Sequence, residues 1–140
     1  MPTIRDLTLA VSGSSWMEAA VTVGYRLELS PSETDEDGAP PCFEEWIEIL
    51  ADEPGGDRPT LIHALRPTRL PAVASPVLDR TRQVLLPGEP GWRPYAPRPV
   101  DSPTVRKGDR LLLVIELRRV DRGGATTRAV GQTGPVPGWT

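Results

Sequence analysis

The chain has 140 residues, a formal net charge of −3 and 38% hydrophobic residues, which gives room for one domain around one core and no second one. The acidic balance excludes a protein whose whole surface is built for nucleic acid, because that footprint is strongly basic. One cysteine, Cys42, excludes an intrachain disulfide and fits a reducing compartment, where it reads as a small buried apolar residue.

The N-terminus, Met1-Pro2-Thr3-Ile4-Arg5-Asp6, has no basic region leading into an apolar one, and no apolar run reaches the length of a membrane span. A soluble, cytoplasmic protein without a transmembrane segment is predicted. Asparagine is absent and Lys107 is the single lysine beside fifteen arginines; this composition reads as the codon bias of a GC-rich bacterial genome. Seventeen prolines, about 12% of the chain against an average near 5%, punctuate the sequence. Because proline cannot donate to a strand ladder, the proline-free windows are where strands can run.

In chain order, Leu7, Leu9 and Val11 alternate with Asp6, Thr8 and Ala10 and predict a first strand, with Ser12-Gly13-Ser14-Ser15 as its exit. A hairpin or a crossover to another sheet would both fit. Ser15 and Glu18 have capping-box spacing, but the apolar period behind them supports one turn at most. Val21, Val23, Tyr25, Leu27 and Leu29 then alternate with Thr22, Gly24, Arg26 and Glu28, which is the clearest strand in the chain.

Cys42–Ala51 fits two periods: Phe43, Trp46, Ile47 and Leu50 have helical spacing, whereas Ile47, Ile49 and Ala51 have strand spacing. The β-branched residues favour a strand from about Glu45, with Trp46 near a bulge, over a helix. Leu61–Arg66 and Leu78–Leu86 follow as strands; in the second, Arg80, Arg82, Val84 and Leu86 share one face and Thr81, Gln83 and Leu85 the other. Gly108-Asp109-Arg110 is a turn into Leu111–Val120, whose Leu111, Leu113, Ile115 and Leu117 form a core face. A short strand around Ala125–Val130 completes the series. The pattern predicts an all-β fold, a single-domain antiparallel β-sandwich of immunoglobulin-like or C2-like type with six to eight strands and little helix over residues 1–130. Residues 131–140 read as a flexible Gly/Pro-rich tail.

Four groups of residues bear on chemistry. Glu33, Asp35, Asp37 and Glu44, with Gly38 between them, reproduce the spacing of a calcium loop. A preceding strand, Pro40-Pro41 within the loop and Glu at the first ligand position argue against an EF-hand. The favoured reading is a solvated acidic loop, with a looser calcium site as its alternative, and no cofactor is expected.

Glu44, Glu45 and Glu48 offer carboxylate pairs to a hydrolase. Such pairs catalyse only when their environments drive their pKa values apart, and a solvated strand edge is the cheaper explanation. His63 is the single histidine, which rules out a multi-histidine zinc site. The stiff Pro87–Pro103 segment carries Trp92, Arg93, Tyr95 and Arg98, residue types that dominate interface hot spots, and Trp139 stands in the tail. Covering one end of the core is the favoured role for that segment, and partner binding through Trp92, Arg93, Tyr95, Arg98 and Trp139 the sharper one.

Charge is unevenly distributed. Glu28 to Asp57 holds eleven carboxylates and no basic residue, while Arg58 to Arg128 holds fourteen basic residues against six acidic ones. Complementary fields of this kind steer encounters and fix register. With no nucleophile elbow and no phosphate-cradling loop, the sequence favours a non-catalytic protein–protein or structural module. It would serve as an adaptor or subunit of a larger bacterial assembly, by a protein partner or by self-association and without nucleic acid. A ligand-binding sandwich for calcium, a membrane surface or carbohydrate is the alternative, and an acid–base hydrolase stands last.

Overall fold

A computed structural model describes residues 2–15, 18–29, 42–52, 59–70, 77–89, 105–106, 110–120 and 126–135. These residues are all-β, with no helix among them, and they form two sheets. The strands are β1 (Thr3–Ser15), β2 (Glu18–Glu28), β3 (Phe43–Asp52), β4 (Thr60–Ala64), β5 (Thr68–Arg69), β6 (Val77–Glu89), β7 (Val105–Arg106), β8 (Arg110–Arg119) and β9 (Thr126–Pro135). The first sheet runs β1-β2-β6-β7 and the second β4-β3-β8-β9, with β5 also pairing β3. Every ladder is antiparallel except the short one between β6 and β7.

Strand alternation decides what is buried. On β2, Val21, Val23, Tyr25 and Leu27 point inward, and on β8 Leu111, Leu113, Ile115 and Leu117 do the same. They meet Phe43, Ile47, Ile49 and Ala51 of β3 in one apolar cluster drawn from both sheets. Cys42–Ala51 is thus a strand and not a helix: a helical turn would have sent Ile49 and Ala51 to different sides. The irregularity in β3 falls between Ile49 and Leu50 on its β4 side, while Trp46 pairs regularly with Glu116 of β8. Cys42 is only half-buried, because it stands just before β3, where its carbonyl accepts from the Val120 amide at 3.0 Å.

Strand β1 uses a bulge to keep its apolar residues on one side. Arg5 faces Arg26 and Thr8 faces Gly24, so β1 spends one residue more than β2 between these rungs. The extra residue reverses parity. Ile4 therefore shares the inner face with Leu9 and Val11, all three packing against the core beside Leu7. Asp6 in the bulge has a φ of 55°, a left-handed conformation that aspartate tolerates better than most residues. β1 and β2 are adjacent antiparallel partners, and β1 runs through Ser12-Gly13 instead of turning there.

Two strands also reach past prolines or expected ends. β6 includes Pro87, and β9 continues to Pro135, past Gly131, where composition places the start of the tail. The two sheets approach each other differently at their two sides. Next to β9, Leu7 of β1 lies so close to Gly131 that a Cβ there would come within 3.2 Å of it, and the Thr127 hydroxyl reaches the Pro2 carbonyl at 3.5 Å. The opposite side, between β6 and the β4–β5 region, is joined by charged side chains.

Candidate functional site

Glu45 falls in phase with Phe43 and Ile47, so the alternation that buries β3 carries a carboxylate into the interior, where it is 0% exposed. Above it the β2–β6 register sets Tyr25 opposite Arg80 and Val23 opposite Arg82. The Tyr25 hydroxyl donates to Glu45 Oε2, Arg80 Nε donates to the same oxygen at 3.2 Å, and Arg82 donates a terminal guanidinium N–H to Oε1 at 2.9 Å. Thr68, across the β3–β5 pairing, adds a long contact to Oε1 at 3.4 Å, and Arg82 also reaches the Arg66 carbonyl at 3.5 Å. One carboxylate thereby ties together β2, β3, β5 and β6.

The electrostatics follow from those contacts. Burial alone would raise the Glu45 carboxyl, but hydrogen bonds from Tyr25, Arg80 and Arg82, with the Arg80 charge, outweigh it and hold the group below its ordinary range. Burial, then the hydrogen bond to an ionised Glu45, pushes the Tyr25 hydroxyl up. Burial would lower Arg80, yet its bond to Glu45 raises it instead. Near neutral pH the cluster is an ionised carboxylate, two guanidiniums and a protonated phenol, an arrangement that holds charge in place.

This overturns the expectation that Glu44, Glu45 and Glu48 line a solvated strand edge. β3 is flanked by β4 and β5 on one side and β8 on the other. Glu45 points inward while Glu44 and Glu48 point outward, so the strand separates them onto opposite faces. Glu44 accepts from Trp46 Nε1 at 2.7 Å, and the Arg118 guanidinium lies 4.0 Å from the centre of the Trp46 ring while bonding Glu116 at 2.7 Å. Glu44 is the one member of the expected calcium set among the described residues; Glu33, Asp35 and Asp37 lie outside them, as do Trp92, Arg93, Tyr95, Arg98 and Trp139. Among the described residues no group of His, Cys, Asp and Glu side chains is placed to hold a metal ion. His63 is half-buried on β4, paired with Ile49.

The outer face of the second sheet carries an apolar band. Leu61, Leu50 and Leu112 follow one another across β4, β3 and β8, and Val114 and Val130 pair one step along β8 and β9. Leu61 is 49% and Val130 57% exposed, Leu50 and Leu112 are half-buried, and Val114 is buried. Glu48, Glu116, Arg118 and Arg128 rim this band.

Among the described residues no helix is long and apolar enough to cross a membrane. Two antiparallel sheets around a shared core define an all-β protein, and a scan against models of known protein families and a search of curated proteins both find no match to it.

Proposed function

We propose that this chain is a β-sandwich of immunoglobulin-like or C2-like type that works by protein–protein contact, as a non-catalytic adaptor or assembly subunit. The observation that carries the reading is the row of Leu61, Leu50 and Leu112 with Val130 nearby on the outer face of the second sheet, of which Leu61 and Val130 are the most exposed. An apolar centre with a charged rim is the anatomy of an interface, and a sheet face turned to water has no need of aliphatic residues on successive rungs. A structural part for the buried charges agrees with it: both Glu45 oxygens are engaged and the group stays ionised, which suits it to fixing two sheets rather than to acid–base turnover.

A photo-reactive side chain placed at Val130, with Ser12 on the first sheet as the control, tests the reading in the source cells. Discrete adducts at Val130 and none at Ser12 are expected. Equal labelling at the two positions, or no adduct at either, refutes it.

A further inference from the structure

Strand β6 pairs with β2 along its length, but among the described residues its other side carries a ladder only at Gly88 and Glu89, where β7 joins. The backbone parity of that side can be read from a proline. Pro87 sits in the regular β2–β6 register opposite Glu18, and a residue without an N–H fits there only if its nitrogen faces away from β2. Alternation then turns the N–H and C=O groups of Asp79, Thr81, Gln83 and Leu85 outward along the edge. An edge without a partner among the described residues invites another strand.

The sequence of the edge indicates which strand. Val77-Leu78-Asp79-Arg80-Thr81-Arg82-Gln83-Val84-Leu85 is nearly a palindrome about Thr81. Laid antiparallel on a second copy of itself, Thr81 meets Thr81, Asp79 meets Gln83, Leu78 meets Val84 and Val77 meets Leu85. On the outer face this brings together two of the exposed aliphatic side chains, Val77 at 42% and Leu85 at 56%, and gives the Asp79 carboxylate an amide donor. These are favourable cross-strand pairs, and the outward-facing backbone groups of Asp79, Thr81 and Gln83 fall opposite one another.

We infer that the chain forms a two-fold symmetric dimer through antiparallel β6–β6 pairing centred on Thr81, joining the first sheets of two copies into one continuous sheet. An isologous contact of this kind closes on itself and leaves no further edge of β6 for a third copy. Arg80 and Arg82 point to the inner face, each bonded to Glu45 of its own copy, and the dimer sets Arg80 of one copy opposite Arg82 of the other. Asp79 on the outer face is paired with Arg26 of its own copy at 2.8 Å, so the charges along the seam are neutralised within each copy and the backbone ladder carries the contact.

The inference deepens the contact reading above without using the apolar band, so Val130→Lys leaves the dimer intact. Sedimentation of the full chain is expected to show mass rising from 15.2 kDa to twice that with concentration. Register is read by cysteine pairing in a Cys42→Ser background. Residues in a hydrogen-bonded antiparallel pair have Cα atoms about 5.5 Å apart, within disulfide range. Thr81→Cys is expected to oxidise to a covalent dimer, Asp79→Cys alone is not, and Asp79→Cys chains mixed with Gln83→Cys chains give the cross-linked pair. A monomer at every concentration and salt level overturns the inference, as does cross-linking without that register. Slow hydrogen exchange at the Thr81 and Gln83 amides of a monomer also overturns it, because the chain itself would then cover the edge. Loss of the dimer with Val130 adducts retained removes this inference alone; loss of the adducts with the dimer retained removes the apolar-band reading alone.

Discussion

Replacing Glu45 by glutamine changes the charge of the buried cluster and almost nothing else, because volume and one acceptor oxygen are kept. Removing one partner of a buried ion pair costs about 3–5 kcal/mol, since the remaining charge loses its compensation. Arg80 and Arg82 keep 27% and 23% of their side chains exposed, so water relieves part of that burden and the lower end, about 3 kcal/mol, applies. Tyr25→Phe removes a hydrogen bond to a charged group and should cost about 2 kcal/mol, falling to about 1 kcal/mol once Glu45 is already glutamine, where only a neutral bond is lost. Urea unfolding at neutral pH of the wild type, both single variants and the double variant measures this coupling. The triple replacement Glu45→Leu, Arg80→Leu and Arg82→Leu, which removes the charges together, should recover most of the loss. A cost below about 1 kcal/mol for Glu45→Gln, the level of a surface pair, would refute the reasoning, because the two arginines would then not depend on the carboxylate.

The same cluster sets a pH profile with opposite signs at its two ends. Folded Glu45 sits below its ordinary value of 4.5, so the unfolded chain binds the proton first and stability falls as pH drops through 4.5 and below; acid titration of Glu45→Gln should be flatter. Folded Tyr25 sits above its ordinary value of 10.0, so stability is full below that pH and falls as pH rises beyond it, a loss that Tyr25→Phe should remove in alkaline melts. In the core, Leu113→Ala and Ile115→Ala should each cost about 2–5 kcal/mol by chemical denaturation, while Leu85→Ala on the exposed face should stay within about 0.5 kcal/mol. Gly131→Val drives a side chain into Leu7 and should cost about 1–3 kcal/mol in the same assay.

What could be read from the sequence was whatever alternation alone determines. Val21 to Leu27 and Leu111 to Leu117 are inward-facing runs because a sheet with one buried face needs a period of two, and both stand out without any knowledge of their neighbours. The face shared by Arg80, Arg82, Val84 and Leu86 was legible in the same way. Glu45 was in phase with Ile47 and Ile49, yet a carboxylate is read as solvated until its partners are known. Those partners, Tyr25, Arg80 and Arg82, lie twenty to thirty-seven positions away in the chain and come within reach only through the β2–β6 register. The bulge at Asp6 was hidden for a related reason. Ile4 and Leu9 have opposite parity, and only an inserted residue reconciles them.

The two lateral closures of the described residues differ in kind, and that difference makes one of them sensitive to pH. Leu7 against Gly131 is an aliphatic seam with nothing to titrate, whereas the far side is fastened by Glu45 with Arg80 and Arg82. Acid that neutralises Glu45 weakens the charged fastening and leaves the aliphatic seam and the shared apolar core unchanged. In acid the amides of β6 and of the Thr60–Leu70 stretch are therefore expected to lose protection before those of β8, which hydrogen exchange would show.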